Sequence, residues 1–502
     1  MHIDLQSTAL HDETPMNLTM TSVGEWLKAK PQLNARVVGW DESALSFDRV
    51  HTDTRTLRAG DLFVALKGEK FDANLFLKEA QSKGAQAAIC ERGLDALSWR
   101  GVEVKDTGEA LGVLAAAWRH QWDVGIIAVT GSNGKTTVTQ MLARILFAWQ
   151  GAQSLATQGN FNNAVGVPMT LFRLRASHRC AVLELGMNHP GEIETLGRWV
   201  QPQVALVNNA QREHQEFMGS VRAVAEENAQ VFKALGPDGV AVFPFDDEHS
   251  SLWQDMSQDR RVCRFGSHPG AEVVLQSSQW LNGAWQMQVG VGGHQVQFTV
   301  KLPGLHNVHN ALASIACAHS LGVPLEKIKE GLQAFEAVKG RSHFKTIRLQ
   351  RFDAELAKEI EHEMGLVDDS YNANPDSVIA AIDLLARLNG PKVLVLGDMG
   401  EVGEQGVAFH QEVGKYASLA GIECVLGLGD LTQHAVREFQ VHQRSPQSAM
   451  HFESAEQLIE ALKARLFDVQ SVLVKGSRFM KMERVVQAVM SENKDKEEIS
   501  CS

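Results

Sequence analysis

A strand that runs directly into a glycine-flanked loop and then into a helix is the strongest constraint on the fold. Residues 127–136 read Ile-Ala-Val-Thr-Gly-Ser-Asn-Gly-Lys-Thr. The β-branched run predicts a buried strand, and apolar residues at helical spacing from Val138 to Trp149 predict the helix. Such loops bind phosphate, because their backbone N–H groups point inwards and the helix N-terminus adds partial positive charge. The sequence therefore predicts an α/β nucleotide-binding domain.

This loop supplies the first candidate ATP-binding residues. They are Gly131, Ser132, Asn133, Gly134, Lys135, Thr136 and Thr137. Lys135 can reach the outer phosphates, and the Thr136 hydroxyl can bind Mg²⁺. The match to the general phosphate-loop pattern is partial, because Val129 stands where that pattern has a further glycine. An ordinary strand–turn–helix with a chance Gly-Lys pair is the alternative interpretation.

Length, charge and cysteine usage restrict the class of protein. A chain of 502 residues is too long for one core, so about two to four domains are expected. The net charge of −12 argues against a nucleic-acid partner. The six cysteines form no Cys-x-x-Cys pair, which argues against disulfides or metal clusters and fits a reducing compartment. With no bilayer-length apolar run and a polar N-terminus unlike a signal peptide, we expect a cytoplasmic protein without a membrane span.

Alternating strands and helices predict an α/β fold with mostly parallel sheets. The predicted strands cover residues 61–66, 85–90, 181–185, 204–208, 239–243, 392–396, 423–428 and 471–474, and a helix covers 111–122. Residues 271–302 break the alternation and predict antiparallel strands that turn at Asn282-Gly283 and Gly292-Gly293. The highly charged residues 355–363 predict a solvated helix.

The same pattern divides the chain into three domains between two tails. We expect a disordered tail at 1–19, domains at 20–123, 124–338 and 339–491, and a second disordered tail at 492–502.

Two acidic or titratable positions near the phosphate loop are candidates for catalysis. Glu184 ends a strand next to the loop strand, where it could hold Mg²⁺ directly or through water. The alternative is an edge carboxylate in solvent. His214, in the loop after the next strand, could bind a second cation or act as a general base, although a lone loop histidine more often does neither.

Three further clusters have both a functional and an ordinary interpretation. Asn307 and Asn310 share a face at a helix start, where amides could read an adenine edge or simply cap the helix. Asp369 could accept hydrogen bonds from ribose, or belong to an Asx-rich turn. Lys475 and Arg478 flank Gly476 and could bind a small anion or carboxylate, or be solvated.

Taken in order, these motifs resemble the Mur ligase family. The resemblance extends from about Phe47 to Met490. It rests on residues 52–55, 60–68, 130–137, 157–168, 184–187, 304–307, 338–341, 369–375, 397–401 and 474–478. It implies an N-terminal α/β domain for a UDP-sugar, a central phosphate-loop ATPase, and a C-terminal Rossmann-like domain that closes over the site.

The resemblance also implies a role for each matched position. Thr52, Asp53, Thr54, Arg55, Lys67 and Gly68 would contact the uridine nucleotide, and Asn160, Asn162 and Asn163 the UDP-muramoyl peptide. Asn307 and Asn310 would flank adenine, while Arg341 and Asp369 reach the nucleotide from the C-terminal domain. Asn372, Asn374, Lys475 and Arg478 would lie near the second substrate. Lys135, Glu184 and His214 would be catalytic.

Two positions depart from the family pattern. The family commonly has a carbamoylated lysine as a second-metal ligand, whereas residues 224–231 contain no lysine and Asn228 takes that position. We therefore hypothesise that Glu226 or Glu227 supplies the missing charge, giving Thr136, Glu184, His214 and Glu226 as candidate metal ligands. Asn74 stands where the family often has histidine.

Within the family, the chain is most similar to members that act on a dipeptide. The Asp-Asn-Pro-Arg motif of diaminopimelate-adding members is absent from the sequence. The implied reaction uses ATP and Mg²⁺ to join D-alanyl-D-alanine to UDP-N-acetylmuramoyl-tripeptide through an acyl phosphate, in peptidoglycan precursor synthesis. A monomer is expected. The alternatives are a phosphate-loop NTPase switch, or a folyl-polyglutamate or diaminopimelate-adding ligase.

Overall fold

A computed structural model describes residues 14–39, 45–353, 358–442 and 448–493. Residues 14–39 and 45–123 contain β1 Leu18–Thr19, α1 Met20–Lys28, β2 Arg36–Val38, β3 Ser46–Phe47, β4 Val50–His51, β5 Leu62–Val64, α2 Leu77–Ser82, β6 Ala87–Cys90, β7 Gly101–Glu103 and α3 Thr107–Arg119. Five of these strands form a sheet in the order β2-β7-β6-β5-β4, parallel except for β2 against β7, and β1 pairs separately with β3. The strands predicted at 61–66 and 85–90 are present as β5 and β6, which are both shorter than predicted.

Both predicted disordered tails are too long. Met16 and Leu18 are buried, and β1 pairs with β3, so the chain is already packed from about residue 16. The Thr19 side chain then accepts a hydrogen bond from Ser22 N and caps α1. At the other end, Asn493 Oδ1 accepts a bond of 3.0 Å from Arg348 N. Residues 1–13 and 494–502 lie outside the described part of the chain.

The central segment forms a nine-stranded sheet in the order β16-β15-β14-β13-β12-β11-β8-β10-β9. Its elements are β8 Gly125–Thr130, α4 Lys135–Gln150, β9 Ser154–Ala156, α5 Gly166–Leu171, β10 Cys180–Glu184, α6 Glu192–Val200, β11 Val204–Val207, α7 Gln215–Met218, α8 Val221–Asn228, β12 Val240–Pro244, α9 Ser250–Met256, β13 Arg261–Gly266, β14 Val273–Leu281, β15 Ala284–Val291, β16 His294–Val300, α10 Leu305–Ser320 and α11 Leu325–Gln333. Strands β8 to β14 are paired in parallel.

The predicted antiparallel strands at 271–302 are confirmed. Pairing of Leu281 with Ala284 and of Val291 with His294 places the turns at Asn282-Gly283 and Gly292-Gly293. In the parallel part, β8 lies between β10 and β11. The carboxyl ends of these three strands therefore meet at one edge, where open α/β sheets bind their ligands.

The last segment is a six-stranded sheet in the order β17-β18-β22-β19-β20-β21, parallel except for β17 against β18. Its elements are β17 His343–Asp353, β18 Lys358–Asp369, α12 Pro375–Ala386, β19 Lys392–Gly397, α13 Gly406–Leu419, β20 Cys424–Leu428, α14 Thr432–His442, β21 Ala449–Phe452, α15 Ala455–Lys463, β22 Ser471–Lys475 and α16 Glu483–Met490. The three predicted strands of this segment are confirmed, and so is the α/β class.

The predicted helix at 355–363 is wrong where the structure describes it. Residues 358–363 begin β18 and pair with the end of β17, while 355–357 lie outside the described residues. Ile360 and Met364 alternate with glutamates, which is the period-two pattern of a strand with one solvated face. The charge density hid this alternation, and cross-strand pairs such as Arg348 Nε with Glu363 Oε2, 3.4 Å apart, balance part of the charge.

Candidate active site

A cavity of about 970 Å³ lies between the carboxyl ends of the central and C-terminal sheets. Its volume is at the upper end of the usual range for ligand sites. The cavity is lined by every residue predicted for the site except Gly131, Glu226 and the six residues of the N-terminal segment. Side chains that are up to 346 residues apart in sequence, from Ser132 to Arg478, are thus brought to one cleft.

The phosphate loop has the predicted strand–loop–helix form. Gly131 and Gly134 have φ of +123° and +81°, which are left-handed values that favour glycine. A Cβ atom at Gly134 would stand 2.3 Å from Asn310 Oδ1 and 2.7 Å from Asn208 Nδ2. Glycine is therefore required at position 134, because two amide side chains pack directly against its backbone.

The Lys135 ammonium is held inside the loop by three oxygen atoms. Its Nζ donates to Gly131 O at 2.5 Å and Ser132 O at 3.0 Å, and it pairs with Glu213 Oε1 at 2.7 Å. Both side chains of the ion pair are mostly buried. Glu213 therefore fixes the position of the lysine at the bottom of the cleft, a role that the sequence did not reveal.

Thr136 and Glu184 meet as predicted. Thr136 Oγ1 donates to Glu184 Oε2 at 2.8 Å, and Asn162 Nδ2 donates to Glu184 Oε1 at 2.8 Å. The Glu184 carboxylate is only 2% exposed, so its charge is stabilised by these donors and not by water. Hydroxyl and carboxylate oxygens are ligands that Mg²⁺ prefers, and this pair could hold the ion beside the phosphate loop.

His214 lies between two carboxylates. Its Nδ1 stands 2.6 Å from Glu401 Oε2 and its Nε2 stands 3.5 Å from Glu213 Oε1. Burial lowers the pKa of this imidazole, but the two carboxylates outweigh burial and raise the pKa to about 9. A protonated imidazole has no lone pair for a metal or a substrate proton, so this geometry favours an ion-pair role over both predicted roles.

Asn307 and Asn310 belong to a chain of buried amides. Asn310 donates through Nδ2 to Asn307 Oδ1 at 2.9 Å and accepts from Asn208 Nδ2 at 3.0 Å. Asn307 Nδ2 donates to Pro303 O at 2.7 Å, and Asn208 Nδ2 also donates to Asn133 O at 2.8 Å. These amides connect the start of α10 to the phosphate loop. They line the cavity, but these contacts already use much of their hydrogen-bonding capacity.

The C-terminal wall of the cleft carries its own charge network. Lys475 Nζ stands 2.6 Å from Asp369 Oδ2, and Ser342 N donates to Asp369 Oδ1 at 2.8 Å. Burial raises the pKa of Asp369, but Lys475 outweighs it and the pKa lies below its ordinary value. Arg341 and Arg478 both lie over the ring of Tyr371, with Cζ 4.3 Å and 5.6 Å from its centroid.

Comparison with known proteins agrees with this architecture. Residues 46–119, 129–318 and 350–478 match the models described as Mur ligase family, catalytic domain; Mur ligase middle domain; and Mur ligase, glutamate ligase domain. A UDP-N-acetylmuramoyl-tripeptide–D-alanyl-D-alanine ligase of Escherichia coli (strain K12) is 40% identical over 462 residues, which cover 91% of this chain and 96% of that protein. The chain belongs to the Mur ligase family.

Other members of the family are also similar to this chain over most of its length. A protein of the same description from Haemophilus influenzae is 37% identical, with 93% of this chain and 97% of that protein covered. The crystal structure of MurF from Acinetobacter baumannii matches with a TM-score of 0.82 at 32% identity, covering 94% of this chain and 99% of that one. MurF ligase from Thermotoga maritima, solved in complex with ADP, matches with a TM-score of 0.74 at 25% identity, covering 88% and 97%.

Neither glutamate proposed to replace the family lysine reaches the cleft. Glu226 lies on the exposed side of α8 and pairs with Arg222, with Nε 2.9 Å from Oε1. Glu227 is buried, and its two carboxylate oxygens each accept a bond of 2.9 Å, from Gly191 N and Ile193 N. Glu227 therefore stabilises the N-terminus of α6. In this structure neither Glu226 nor Glu227 is placed to replace the family lysine beside the phosphate loop.

Asn228, at the position of the family lysine, serves the phosphate loop. Its Oδ1 accepts from Gly131 N at 2.7 Å, and its Nδ2 donates to Val224 O at 3.0 Å. The four candidate metal ligands are thus not brought together; only Thr136 and Glu184 are paired. In the described ranges, no group of three or more His, Cys, Asp or Glu side chains is arranged to hold a metal ion.

The predicted uridine-site residues lie on the N-terminal segment, away from this cavity. They are Thr52, Asp53, Thr54, Arg55, Lys67 and Gly68. Arg55 pairs with Asp53 at 2.6 Å, and Lys67 with Glu91 at 3.4 Å. No helix in the described part of the chain has the length and apolarity needed to cross a membrane.

Several cavity residues were missed. Gln211, Glu213, Asp246, His306, His309, Tyr371 and Asp376 also line the cleft. The rule that ligands bind at strand carboxyl ends could have found Asp246, which follows β12. Burial lowers the pKa of His306 to about 4, so this imidazole is neutral at physiological pH.

Proposed function

We propose that this chain is an ATP-dependent ligase that joins D-alanyl-D-alanine to UDP-N-acetylmuramoyl-tripeptide, with UDP-N-acetylmuramoyl-pentapeptide, ADP and phosphate as products. The observation that carries the proposal is the composition of the cleft. One wall holds the phosphate loop with Lys135, Thr136 and Glu184, and the facing wall holds Asp369 and Lys475. Such a cleft can enclose a nucleotide between two domains. The printed names of the full-length relatives support the substrates.

The nucleotide phosphates are bound by the phosphate loop. Lys135 contributes the positive charge there. When the nucleotide binds, its ammonium group replaces part of its contact with Glu213 by contacts with the outer phosphates. Thr136 and Glu184 would hold Mg²⁺, because they present two oxygen atoms at the same edge of the loop. When bound, the ion neutralises charge on the transferring phosphoryl group. Mg²⁺ usually takes one or two carboxylates with the substrate phosphates, which fits the single carboxylate here.

The first chemical step activates the acceptor. A carboxylate is a poor electrophile, so an oxygen of the tripeptide carboxylate attacks the γ-phosphorus and ADP leaves. The product is an acyl phosphate on the tripeptide. Lys135 stabilises the negative charge that the ADP oxygen develops, and Asn160, Asn162 and Asn163 on the same wall orient the peptide.

The second step forms the amide. The α-amine of the dipeptide attacks the acyl carbon, phosphate leaves from the tetrahedral intermediate, and the proton that the amine loses passes to the departing phosphate. An α-amine has a pKa of about 7.7–8.0, so part of it is neutral near pH 7 without a strong base. The carboxylates of Glu213 and Glu401 raise the pKa of His214, which disfavours this imidazole as the base. Asn372, Asn374, Lys475 and Arg478 would bind the dipeptide, and the closed cleft keeps water from the acyl phosphate.

Each of the three domains would bind a different substrate. The N-terminal domain, which we extend to 14–123, would hold the UDP-sugar through Thr52, Asp53, Thr54, Arg55, Lys67 and Gly68. The central domain, 124–338, would bind ATP, with Asn307 and Asn310 beside adenine. The C-terminal domain from residue 339 would contribute Arg341 and Asp369 to the nucleotide and receive the dipeptide. We also propose that the protein is a monomer and is located in the cytoplasm.

A phosphate-release assay tests the proposal. Release should require ATP, Mg²⁺, the UDP-muramoyl tripeptide and D-alanyl-D-alanine together, and each phosphate should accompany one pentapeptide product. Tripeptides with diaminopimelate or lysine at the third position then define the acceptor. Phosphate release that ignores both peptides would refute the proposal in favour of an NTPase switch. A product formed with free diaminopimelate in place of the dipeptide would indicate a different ligase of this family.

A further inference from the structure

One loop contacts both walls of the cleft. Residues 208–214 follow β11 and contact both the phosphate loop and the C-terminal domain. Asn209 Oδ1 accepts from Asn133 N at 2.9 Å, Gln211 Oε1 accepts from Asn133 Nδ2 at 2.6 Å, and Glu213 pairs with Lys135. These contacts hold the phosphate loop. The residue between the last two, Arg212, turns instead to the C-terminal domain.

Arg212 makes a dense set of contacts with that domain. Its backbone N donates to Asp376 Oδ2 at 2.8 Å, and its Nη2 donates to Asp376 Oδ1 at 2.6 Å. Its Nη1 stands 2.6 Å from Glu412 Oε2, and its Cζ lies 5.2 Å from the centre of the Phe409 ring. Arg212 and Asp376 are 22% and 24% exposed. One guanidinium thus binds α12 and α13 together.

The chemistry of this contact makes it stronger than an ordinary surface pair. Nη2 donates to Asp376 Oδ1, and Nε is shared between Oδ1 and Oδ2 of the same carboxylate, which restricts both distance and angle. The partial burial of both partners limits screening by salt. Because Asp376 is the second residue of α12, beside Asn372 and Asn374, the contact also sets the position of the predicted dipeptide wall.

We propose that Arg212 is a positioning residue for the ligation reaction: it docks the C-terminal domain onto the loop that holds Lys135, so that the two reactive walls are aligned together. The inference rests on the proposed function. Arg212 touches no reacting group in this arrangement; it acts through Asp376 on one side and through Glu213 and Lys135 on the other. His214, which pairs with Glu401, joins the same two domains at the next turn of the loop.

The test is a double-mutant cycle in the full-length protein. The variants are Arg212→Ala, Asp376→Ala and the combination, each assayed for kcat, for KM and for the Kd of ADP. We expect kcat to fall about 10- to 100-fold in each single variant, because a small misalignment of reacting groups has effects of this size. The double variant should have a kcat no lower than that of the slower single variant, because both substitutions remove the same contact. The ADP affinity should fall much less than kcat, since the phosphate loop, Asn307 and Asn310 of the central domain supply most of the proposed nucleotide contacts.

Two further variants separate positioning from folding. Arg212→Lys keeps the charge but loses the two-pronged geometry, so its kcat should lie between wild type and Arg212→Ala. Arg36→Ala is the matched control, because Arg36 also bridges two carboxylates, Asp95 and Glu103, but within the N-terminal sheet. It should leave kcat unchanged. If Arg212→Ala fails to fold, Asp376→Asn weakens the same contact from the other domain, because it keeps the size of the side chain but removes its charge and one acceptor oxygen.

Three results would overturn the proposal. They are a wild-type kcat in Arg212→Ala, multiplied effects in the double variant, or a loss of ADP affinity that parallels the loss of kcat. Absence of any product with the wild-type protein would instead refute the proposed function. In that case small-angle scattering with ADP still tests the docking: a larger radius of gyration for Arg212→Ala than for wild type supports it, and equal radii refute it.

Discussion

Replacing Asn228 with leucine tests whether this side chain serves the phosphate loop or a metal. Leucine has the branched shape of asparagine and is somewhat larger, so the change removes the hydrogen bonds without opening a cavity. In the structure, Asn228 is 1% exposed, and its Oδ1 accepts from Gly131 N at 2.7 Å. Its backbone carbonyl also accepts from Thr130 Oγ1 at 3.2 Å, a bond that the substitution retains.

The expected magnitude follows from the group that loses its partner. A buried N–H without an acceptor costs about 1–3 kcal/mol, and the lost bond from Asn228 Nδ2 to Val224 O adds about 1 kcal/mol. The N–H belongs to Gly131, at the start of the phosphate-binding turn. If the substitution destabilises the phosphate-binding conformation of the loop by about 2 kcal/mol, the affinity for ADP falls about 30-fold.

Calorimetric titration of ADP at saturating Mg²⁺ measures the loss of ADP affinity. Thermal unfolding without ADP measures the part of the free-energy cost that lowers the stability of the protein. Gln230→Leu is the matched control, because it removes an amide two residues away whose Nε2 donates only to Glu226 O. It should leave ADP affinity unchanged. Unaltered ADP affinity and unfolding temperature in Asn228→Leu would refute the reasoning. A change confined to the Mg²⁺ requirement would show that Asn228 acts on the metal instead.

Further predictions concern the charged groups of the cleft and their neighbours. Lys135→Ala should abolish ligation, and Glu184→Gln should lower kcat at least about 100-fold, checked by product formation at saturating ATP and Mg²⁺. Glu226→Ala should leave the Mg²⁺ requirement unchanged, whereas Glu227→Ala should reduce the free energy of unfolding by about 1–2 kcal/mol, because α6 loses two acceptors at its N-terminus. The pKa of His306 lies near 4 when folded and at 6.5 when unfolded, so its contribution to stability is complete above pH 6.5 and is lost as the pH falls towards 4. Unfolding midpoints in this range should depend less on pH in His306→Asn, and an unchanged pH dependence would contradict the assignment.

The phosphate loop and its acidic partner could be predicted because their signals are local. The glycines, the lysine and the apolar strand lie within ten residues, and the register of β10 beside β8 carries Glu184 to the loop. The hairpins at Asn282-Gly283 and Gly292-Gly293 were equally local. In each case short-range backbone chemistry determines the structure, so one segment of sequence is sufficient.

Contacts between distant segments could not be predicted in this way. Asn208 and Asn310 are 102 residues apart, and Arg212 and Asp376 are 164 apart. The roles of Asn228 and Glu227 depend on which backbone N–H groups the fold places beside them, about 97 and 34–36 residues away. Spacing along the chain contains no information about such pairs, so it cannot distinguish a glutamate that caps a helix from one that binds a metal.

The most direct test of the proposed reaction follows a single oxygen atom. UDP-muramoyl tripeptide labelled with oxygen-18 in its terminal carboxylate is incubated with ATP, Mg²⁺ and D-alanyl-D-alanine, and the released phosphate is analysed by mass spectrometry. Because the carboxylate oxygen that attacks the γ-phosphorus leaves with phosphate, each phosphate should carry one labelled oxygen. Unlabelled phosphate, with its new oxygen taken from water, would show that the chain hydrolyses ATP without activating the peptide.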